Sequence, residues 1–582
     1  MKKTCSFLAL LYLILLLLPA YAAATAAPVP AAKSWQAQQI FANSTSRIEE
    51  TLKTMTLSEK VGQMLVAQIE GRYNGNEDKS YKLLSRLVQE GKVGGIMFLK
   101  GDAFSAAMLA NHFQSLASRP LLMSADMERG LAMRLTGATQ FPPNMAVAAA
   151  RDPQLAADMA KYIAQEARSV GLNYNYAPTV DLNSNPLNPI INTRSFGDDV
   201  TLTTTMSNAI IEGLQSNGVI ATAKHFPGHG DVTVDSHIAL PVLQADRKRL
   251  DEYELKPFKA AIDQGVISVM IGHLAVPKLT GNMDPASISR EIVSGLLRKE
   301  LGFKGLIITD ALNMKALYNG SNVAEISVKA VKAGNDLLLF SPDPELAHSS
   351  IVKAVEEGTI AIDQINNSVR RILQAKAWLD RNSRKLVDLN RVVAEESPES
   401  HRELAKKIAS RAITIVRDAN NYLPLWPSST SGAVLNIILQ DKKNSETGAE
   451  YMKNLDRFYP VTHIRIDPET DSSGYASAYD LASRSSAVII TSYVQALSGS
   501  GTLKLTEKQQ SFVHSLSGFT SKKPLIFISL GTPYLINYFP EITTYLCTYS
   551  SHETSEGLAV DALRGELKPQ GLLPVSLQSY SR

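Results

Sequence analysis

Val219-Ile220-Ala221-Thr222-Ala223-Lys224-His225 is a short, apolar, partly β-branched run that closes on charge, and the turn Phe226-Pro227-Gly228-His229-Gly230 follows it at once. Such a run reads as a strand buried on both faces of a parallel sheet, delivering its polar residues at its C-terminal end. The pattern recurs seven more times between about residues 50 and 385. The other runs are Val61–Ala67, Val93–Leu99, Leu121–Ala125, Leu172–Ala177, Val266–Leu274, Leu306–Asp310 and Asp336–Phe340. Amphipathic helical stretches such as Pro153–Val170, Arg247–Gln264 and Val323–Ala333 separate them. Eight strands alternating with helices predict a (β/α)8 TIM-like barrel over residues 50–385, with the strand C-termini facing the active-site mouth. The first run competes with a helix start at Leu57-Ser58-Glu59-Lys60.

Residues 386–432 read as a linker, charged and then Pro/Ser-rich, ending in Pro424-Leu425-Trp426-Pro427-Ser428-Ser429. A second alternation fills 433–582, with strand runs Val434–Leu439, Val461–Ile466, Ala487–Tyr493, Leu525–Leu530 and Tyr545–Tyr549. It predicts a smaller, doubly wound α/β sandwich domain. No Gly-rich fingerprint follows these strands, which argues against nucleotide binding there.

The chain has 582 residues, 45% apolar and 20% charged, enough for two or three domains with ordinary cores. A net charge of +3 without a dense basic run argues against a nucleic-acid partner. Residues 1–23 read as a signal peptide: Lys2 and Lys3, the apolar run Phe7 to Leu18, then Ala20-Tyr21-Ala22-Ala23-Ala24. The run is shorter than the roughly 20 residues that span a bilayer, so no stable membrane insertion is expected after cleavage. The expected location is exported, periplasmic or secreted. Residues 24–49 form an Ala/Pro-rich linker and lead-in. Cys5 falls in the leader, leaving Cys547 alone and no internal disulfide.

Polar clusters close four of the barrel strands. The third ends in Asp126-Met127-Glu128-Arg129-Gly130, the sixth carries His273, and the seventh ends in Asp310. Asp310 has two readings, a reactive carboxylate or a helix cap. The fifth strand runs through Lys224 to Asp235-Ser236-His237, with three histidines and two aspartates in 14 positions. Two chemistries fit it. His225, His229, His237 and Asp231 or Asp235 have the donor types of a zinc or iron site. Alternatively, Asp235 orients His237 for acid–base work.

Lys224-His225-Phe226-Pro227-Gly228-His229-Gly230 with Asp235-Ser236-His237 closely resembles the signature of family 3 glycoside hydrolases of the bacterial β-N-acetylglucosaminidase type. Asp126 to Gly130 with Arg134, the loop Asn192-Thr193-Arg194-Ser195-Phe196-Gly197, Val269 to His273, Pro285 to Ser289 and Asp310-Ala311-Leu312-Asn313-Met314 are similarly placed. Ser529 to Pro533 and Gly571 to Ser576 look like the accessory C-terminal α/β domain of many members. Three positions depart from the pattern: Met127 and Arg129 stand where Gln and Gly are more usual, and Ala311 where a second acid is common.

The resemblance implies Asp310 as nucleophile and His237, oriented by Asp235, as acid/base. It implies Asp126, Arg134, Arg194, Lys224, His225 and Met314 as the shell around one sugar ring. Without it, an ion pair with Asp198 or Asp199 is an alternative for Arg194. The implied activity is an exo-acting, retaining β-N-acetylglucosaminidase needing no cofactor and no metal. Its partner would be a small oligosaccharide from peptidoglycan or chitin. The rivals are a β-glucosidase or β-xylosidase, whose acid would be Glu553 or Glu556, a phosphorylase, and a non-catalytic sugar-binding protein. Those two glutamates also suit the start of a helix near Thr554.

Overall fold

The computed structural model describes residues 35–75, 77–318, 320–382, 386–394, 397–426, 432–495, 505–519 and 521–577. The expected signal peptide with Cys5, most of the Ala/Pro-rich lead-in and the Pro427–Ser429 end of the expected linker lie outside the described residues. The first strands are β1 (Leu65–Gly71), β2 (Gly95–Asp102), β3 (Leu122–Ala125), β4 (Leu135–Thr136) and β5 (Tyr174–Asn175). They are followed by β6 (Thr222–Phe226), β7 (Ser268–Ile271), β8 (Leu306–Thr309) and β9 (Leu338–Leu339).

One parallel sheet runs β5-β3-β2-β1-β9, with the two-residue β4 paired to β2, and another runs β6-β7-β8. Parallel bridges Tyr174–Ile220 and Thr179–Lys224 join β5 and the turn after it to the β6 segment, and Ile308–Leu337 joins β8 to β9. Eight parallel strands therefore close into a ring, the (β/α)8 barrel. Strands β3, β7 and β8 are buried along their whole length, the physical basis of their mostly apolar sequences, and β6 is as buried while carrying Lys224 and His225.

The first strand starts later than its sequence suggests. Thr56 caps the helix Leu57–Gln63, its hydroxyl accepting from Glu59 N while the Glu59 carboxylate accepts from Thr56 N. This capping box takes Val61 into the helix, and the strand begins at Leu65. At the far end of the ring, Asp336 is fully buried and accepts from Arg298 (2.7 Å), Arg371 (2.7 Å), Ser368 (2.8 Å) and Ile307 N (2.9 Å).

A second sheet contains β10 (Thr414–Asp418), β11 (Val434–Leu439), β12 (Val461–Ile466), β13 (Ala487–Ser492), β14 (Leu525–Ser529) and β15 (Thr544–Cys547). Its order is β10-β15-β14-β13-β11-β12, parallel except for β10. Among the described residues of 386–432 lie helices Leu389–Ala394 and Glu399–Ala412 and then the edge strand β10, so this stretch is not only a linker.

From Trp35 onward the chain packs as one compact unit. The segment Leu572–Ser576 lies along the barrel: Leu572 N donates to Ala149 O, Arg151 donates to Leu573 O, and Ser576 N donates to Asp198. Gly197, at φ +137°, makes room for this strap, since a Cβ there would come within 2.0 Å of Pro574 O. No described helix is long and apolar enough to cross a membrane.

Candidate active site

The C-terminal strand ends surround a cavity of about 330 Å3. Asp126, Arg134, Arg194, Lys224, His225, His237, Asp310 and Met314 all line it, so nearly every residue proposed from the sequence is brought to one place. Asp235 stands behind His237 and is fully buried.

A chain of charges covers one wall. Asp126 accepts from Arg134 (2.6 Å) and from Lys224 (2.9 Å). Lys224, 2% exposed, also reaches Glu128 at 2.7 Å. Glu128 takes both arms of the Arg194 fork, at 3.0 and 2.7 Å. Burial alone would raise both carboxyls, but the cations outweigh it: Lys224 and Arg134 hold Asp126 at about 2, and Arg194 and Lys224 hold Glu128 well below the usual range. Burial works against the Lys224 charge, and the two carboxylates more than restore it. Arg194 thus pairs with Glu128 rather than with Asp198 or Asp199. Asp199 instead caps the helix Val200–Gln215, and Asp198 receives Ser576 N.

His225 and His229 share an anchor that the sequence reading missed. Asp181 Oδ2 lies 2.7 Å from His225 Nδ1, both its oxygens accept from His225 N, and Oδ1 accepts from His229 N at 2.7 Å. The available signal is an acid at the end of Pro178-Thr179-Val180-Asp181, an otherwise uncharged run just past the fourth barrel strand. His229 lines the cavity with neither ring nitrogen bonded to protein, and burial followed by the nearby His225 lowers it to about 4.

Asp310 follows β8 directly. Its Oδ1 accepts from Ala311 N at 2.7 Å, and the next helical turn begins only at Lys315, so it caps no helix. Burial tends to raise it, yet His225, His273 and the Ala311 N–H together keep it below the ordinary aspartate value. Buried His273 braces the same corner: its Nε2 donates to Ala311 O (3.0 Å), which leaves Nδ1 to accept from Ser287 Oγ (2.7 Å). His237 Nδ1 lies 2.8 Å from Asp235 Oδ1, which also accepts His237 N at 2.9 Å. The ring is 38% exposed while its aspartate is sealed, so the free face of the imidazole is open to a ligand.

The candidate metal donors do not share one centre: His225 pairs with Asp181, His237 with Asp235, Asp231 lies at the surface near Arg249, and neither His229 ring nitrogen is bonded to protein. Among the described residues no three His, Cys, Asp or Glu converge as a metal site requires. Glu553 and Glu556 fall in the first turn of the helix Glu553–Leu563. Buried Glu556 accepts from Tyr451 N and Tyr493 Oη, and both glutamates line a separate cavity with Gln440 and Asp441. From the second sheet's side, Gln495 is the residue that lines the Asp310 cavity among those described.

A strand-end carboxylate and an aspartate-braced histidine, set beside hydrogen-bonding charges on a barrel mouth, supply the nucleophile and acid/base types that glycoside hydrolysis needs. The chain belongs to glycosyl hydrolase family 3, whose N-terminal domain matches residues 56–375. It is 27% identical over 548 residues to a β-N-acetylglucosaminidase/β-glucosidase of Cellulomonas fimi, covering 91% of this chain and 95% of that one. It is 29% identical to β-hexosaminidase A of Pseudoalteromonas piscicida, covering 90% and 97%. Among solved structures, a family 3 β-N-acetylglucosaminidase from Paenibacillus sp. str. FPU-7 superposes with a TM-score of 0.79 at 32% identity, over 90% of this chain and 99% of that chain.

Proposed function

We infer that the protein is an exo-acting, retaining β-N-acetylglucosaminidase that removes terminal β-linked N-acetylglucosamine from short oligosaccharides. The observation that carries this reading is the opening of Asp310 and the Asp235-braced His237 onto one cavity. Relatives named β-N-acetylglucosaminidase/β-glucosidase, β-hexosaminidase A and β-N-acetylglucosaminidase, matched along nearly their whole length, support it.

In this mechanism Asp310, ionised, attacks the anomeric carbon and forms a glycosyl ester as the glycosidic bond breaks. His237, protonated, gives its Nε2 proton to the departing oxygen. It then takes a proton from the water that hydrolyses the ester, giving net retention. Asp235 holds Nδ1 and compensates the charge of the imidazolium. Asp126, Arg134, Arg194, Lys224 and His225 hold the sugar ring, with Met314 against it. Because Asp126 and Glu128 are already paired, they offer fixed acceptors whose orientation costs nothing at the moment of reaction. All of these steps use side chains.

The signal-like N-terminus supports an exported protein acting on fragments of peptidoglycan or chitin outside the cytoplasm. A panel of 4-nitrophenyl β-glycosides, assayed with and without phosphate, tests the activity. The expected result is strong preference for the N-acetylglucosaminide and independence from phosphate. Preference for the plain glucoside would sink the substrate assignment.

A further inference from the structure

Among the described residues, four cationic side chains line the Asp310 cavity: Arg129, Arg134, Arg194 and Lys224. Three are matched inside the site, Arg134 on Asp126, Arg194 on Glu128, and Lys224 across both. The Arg129 guanidinium has no hydrogen bond or ion pair with any described residue. It is half-buried just past the end of the third barrel strand. Gln495, from the second sheet's side, lines the same cavity.

A guanidinium deprived of part of its water and given no partner is costly to keep. Burial, Arg134 and Arg194 all act against its charge, with Glu128 alone favouring it. It cannot escape by losing its proton, because arginine stays charged in proteins. Its planar fork matches a carboxylate or a phosphate. The N-acetylglucosaminyl ring carries no ionisable group, so the matching anion must arrive with the other reactant.

We propose that Arg129 is a specificity-determining residue that binds an oxyanion brought by the leaving group or by the acceptor. This rests on the N-acetylglucosaminidase reading above. One source is a carboxylate on the leaving sugar, such as the 3-O-lactyl group of a muramic acid unit. The other is inorganic phosphate entering in place of water. In that case a phosphate oxygen bonds to the anomeric carbon, the ester bond to Asp310 breaks, and a sugar 1-phosphate leaves with the Asp310 carboxylate restored.

The test compares kcat/KM for two disaccharides, N-acetylglucosamine β-linked to N-acetylmuramic acid and to N-acetylglucosamine, in wild type, Arg129→Gln and Arg129→Lys. If the carboxylate is the source, wild type favours the acidic disaccharide by roughly 10–100-fold, the span of one charged hydrogen-bonded contact. Arg129→Gln brings the ratio to about one, chiefly through KM, and Arg129→Lys recovers part of it. If phosphate is the source, the disaccharide ratio stays near one, and Arg129→Gln instead suppresses sugar 1-phosphate formed in phosphate buffer. Calorimetric titration with N-acetylmuramic acid, N-acetylglucosamine and phosphate reads the oxyanion site without turnover. A chain that fails on the nitrophenyl panel but binds an oxyanion through Arg129 would refute the hydrolase reading alone. Equal ratios, equal phosphate products and equal binding in wild type and Arg129→Gln would overturn the proposal.

Discussion

Asp181 Oδ2 lies 2.7 Å from Nδ1 of His225, and the same carboxylate accepts the backbone N–H of both His225 and His229. One buried charge thus holds the His225 ring and the His229 backbone at the cavity, and His225 in turn helps keep Asp310 ionised. Asp181→Asn keeps the shape but puts an NH2 where an oxygen now accepts, leaving a buried donor unpaired at about 1–3 kcal/mol. The expected result is a rise in KM and a fall in kcat/KM of about tenfold or more. Steady-state kinetics beside a melting curve checks it, because a purely structural aspartate would lower Tm and leave KM in the folded enzyme unchanged.

Asp310→Ala should abolish turnover with the fold intact, and a 2-deoxy-2-fluoro glycosyl fluoride should label Asp310 in the wild type. The pH sign follows from its environment. Burial raises this carboxyl, but His225, His273 and Ala311 N–H outweigh it, so the ionised nucleophile persists below the ordinary aspartate value. The acid limb of kcat/KM should therefore fall below that value. A label at Glu553, or an acid limb above the ordinary range, would assign the nucleophile elsewhere.

The barrel is legible in the sequence because strands covered on both faces are mostly apolar and uncharged, as Leu306–Thr309 and Ser268–Ile271 are. Strand β10 is not legible in that way. It is a partly exposed, antiparallel edge strand within a charged stretch, and only Ile413-Thr414-Ile415-Val416 hints at it. At the site, the residue types at strand ends can be read directly, whereas their partners cannot. Arg194 finds Glu128 across 66 residues of sequence, passing over two nearer aspartates, because the barrel closes between them. Asp181 hides in an uncharged run, and only the fold shows three donors converging on it.

Asp336, at the opposite end of the ring from the cavity, carries stability rather than chemistry. Asp336→Asn would leave Arg298 and Arg371 facing a neutral amide, a loss of about 3–5 kcal/mol. Burial opposes its charge, but Arg371 and Arg298 depress the folded-state value. Its contribution is thus complete above the unfolded aspartate value near 3.9 and is lost as pH falls through the lower folded value. Denaturant melts of wild type and variant should converge only in strong acid. In the variant that remains folded at low temperature, the nitrophenyl kcat should be unchanged, and a large loss there would show that Asp336 reaches the site.

His237 meets its aspartate at 2.8 Å with the ring 38% exposed, the placement of a group that must reach a leaving oxygen and then a water. General acid catalysis matters most for poor leaving groups and contributes typically about 10²–10⁴-fold. His237→Ala should therefore damage cleavage of a natural disaccharide far more than formation of the glycosyl ester from a dinitrophenyl glycoside. Water still needs a base in the second step, so an initial burst of phenol should be followed by slow turnover. Azide needs no deprotonation and should restore that turnover, giving a β-glycosyl azide. Asp235→Asn should show a milder form of the same behaviour, since the imidazole keeps its ring and loses its orienting charge. If His237→Ala slows both leaving groups equally and azide has no effect, the histidine only contacts the sugar, and the acid must be sought at Glu553, Glu556 or Asp231.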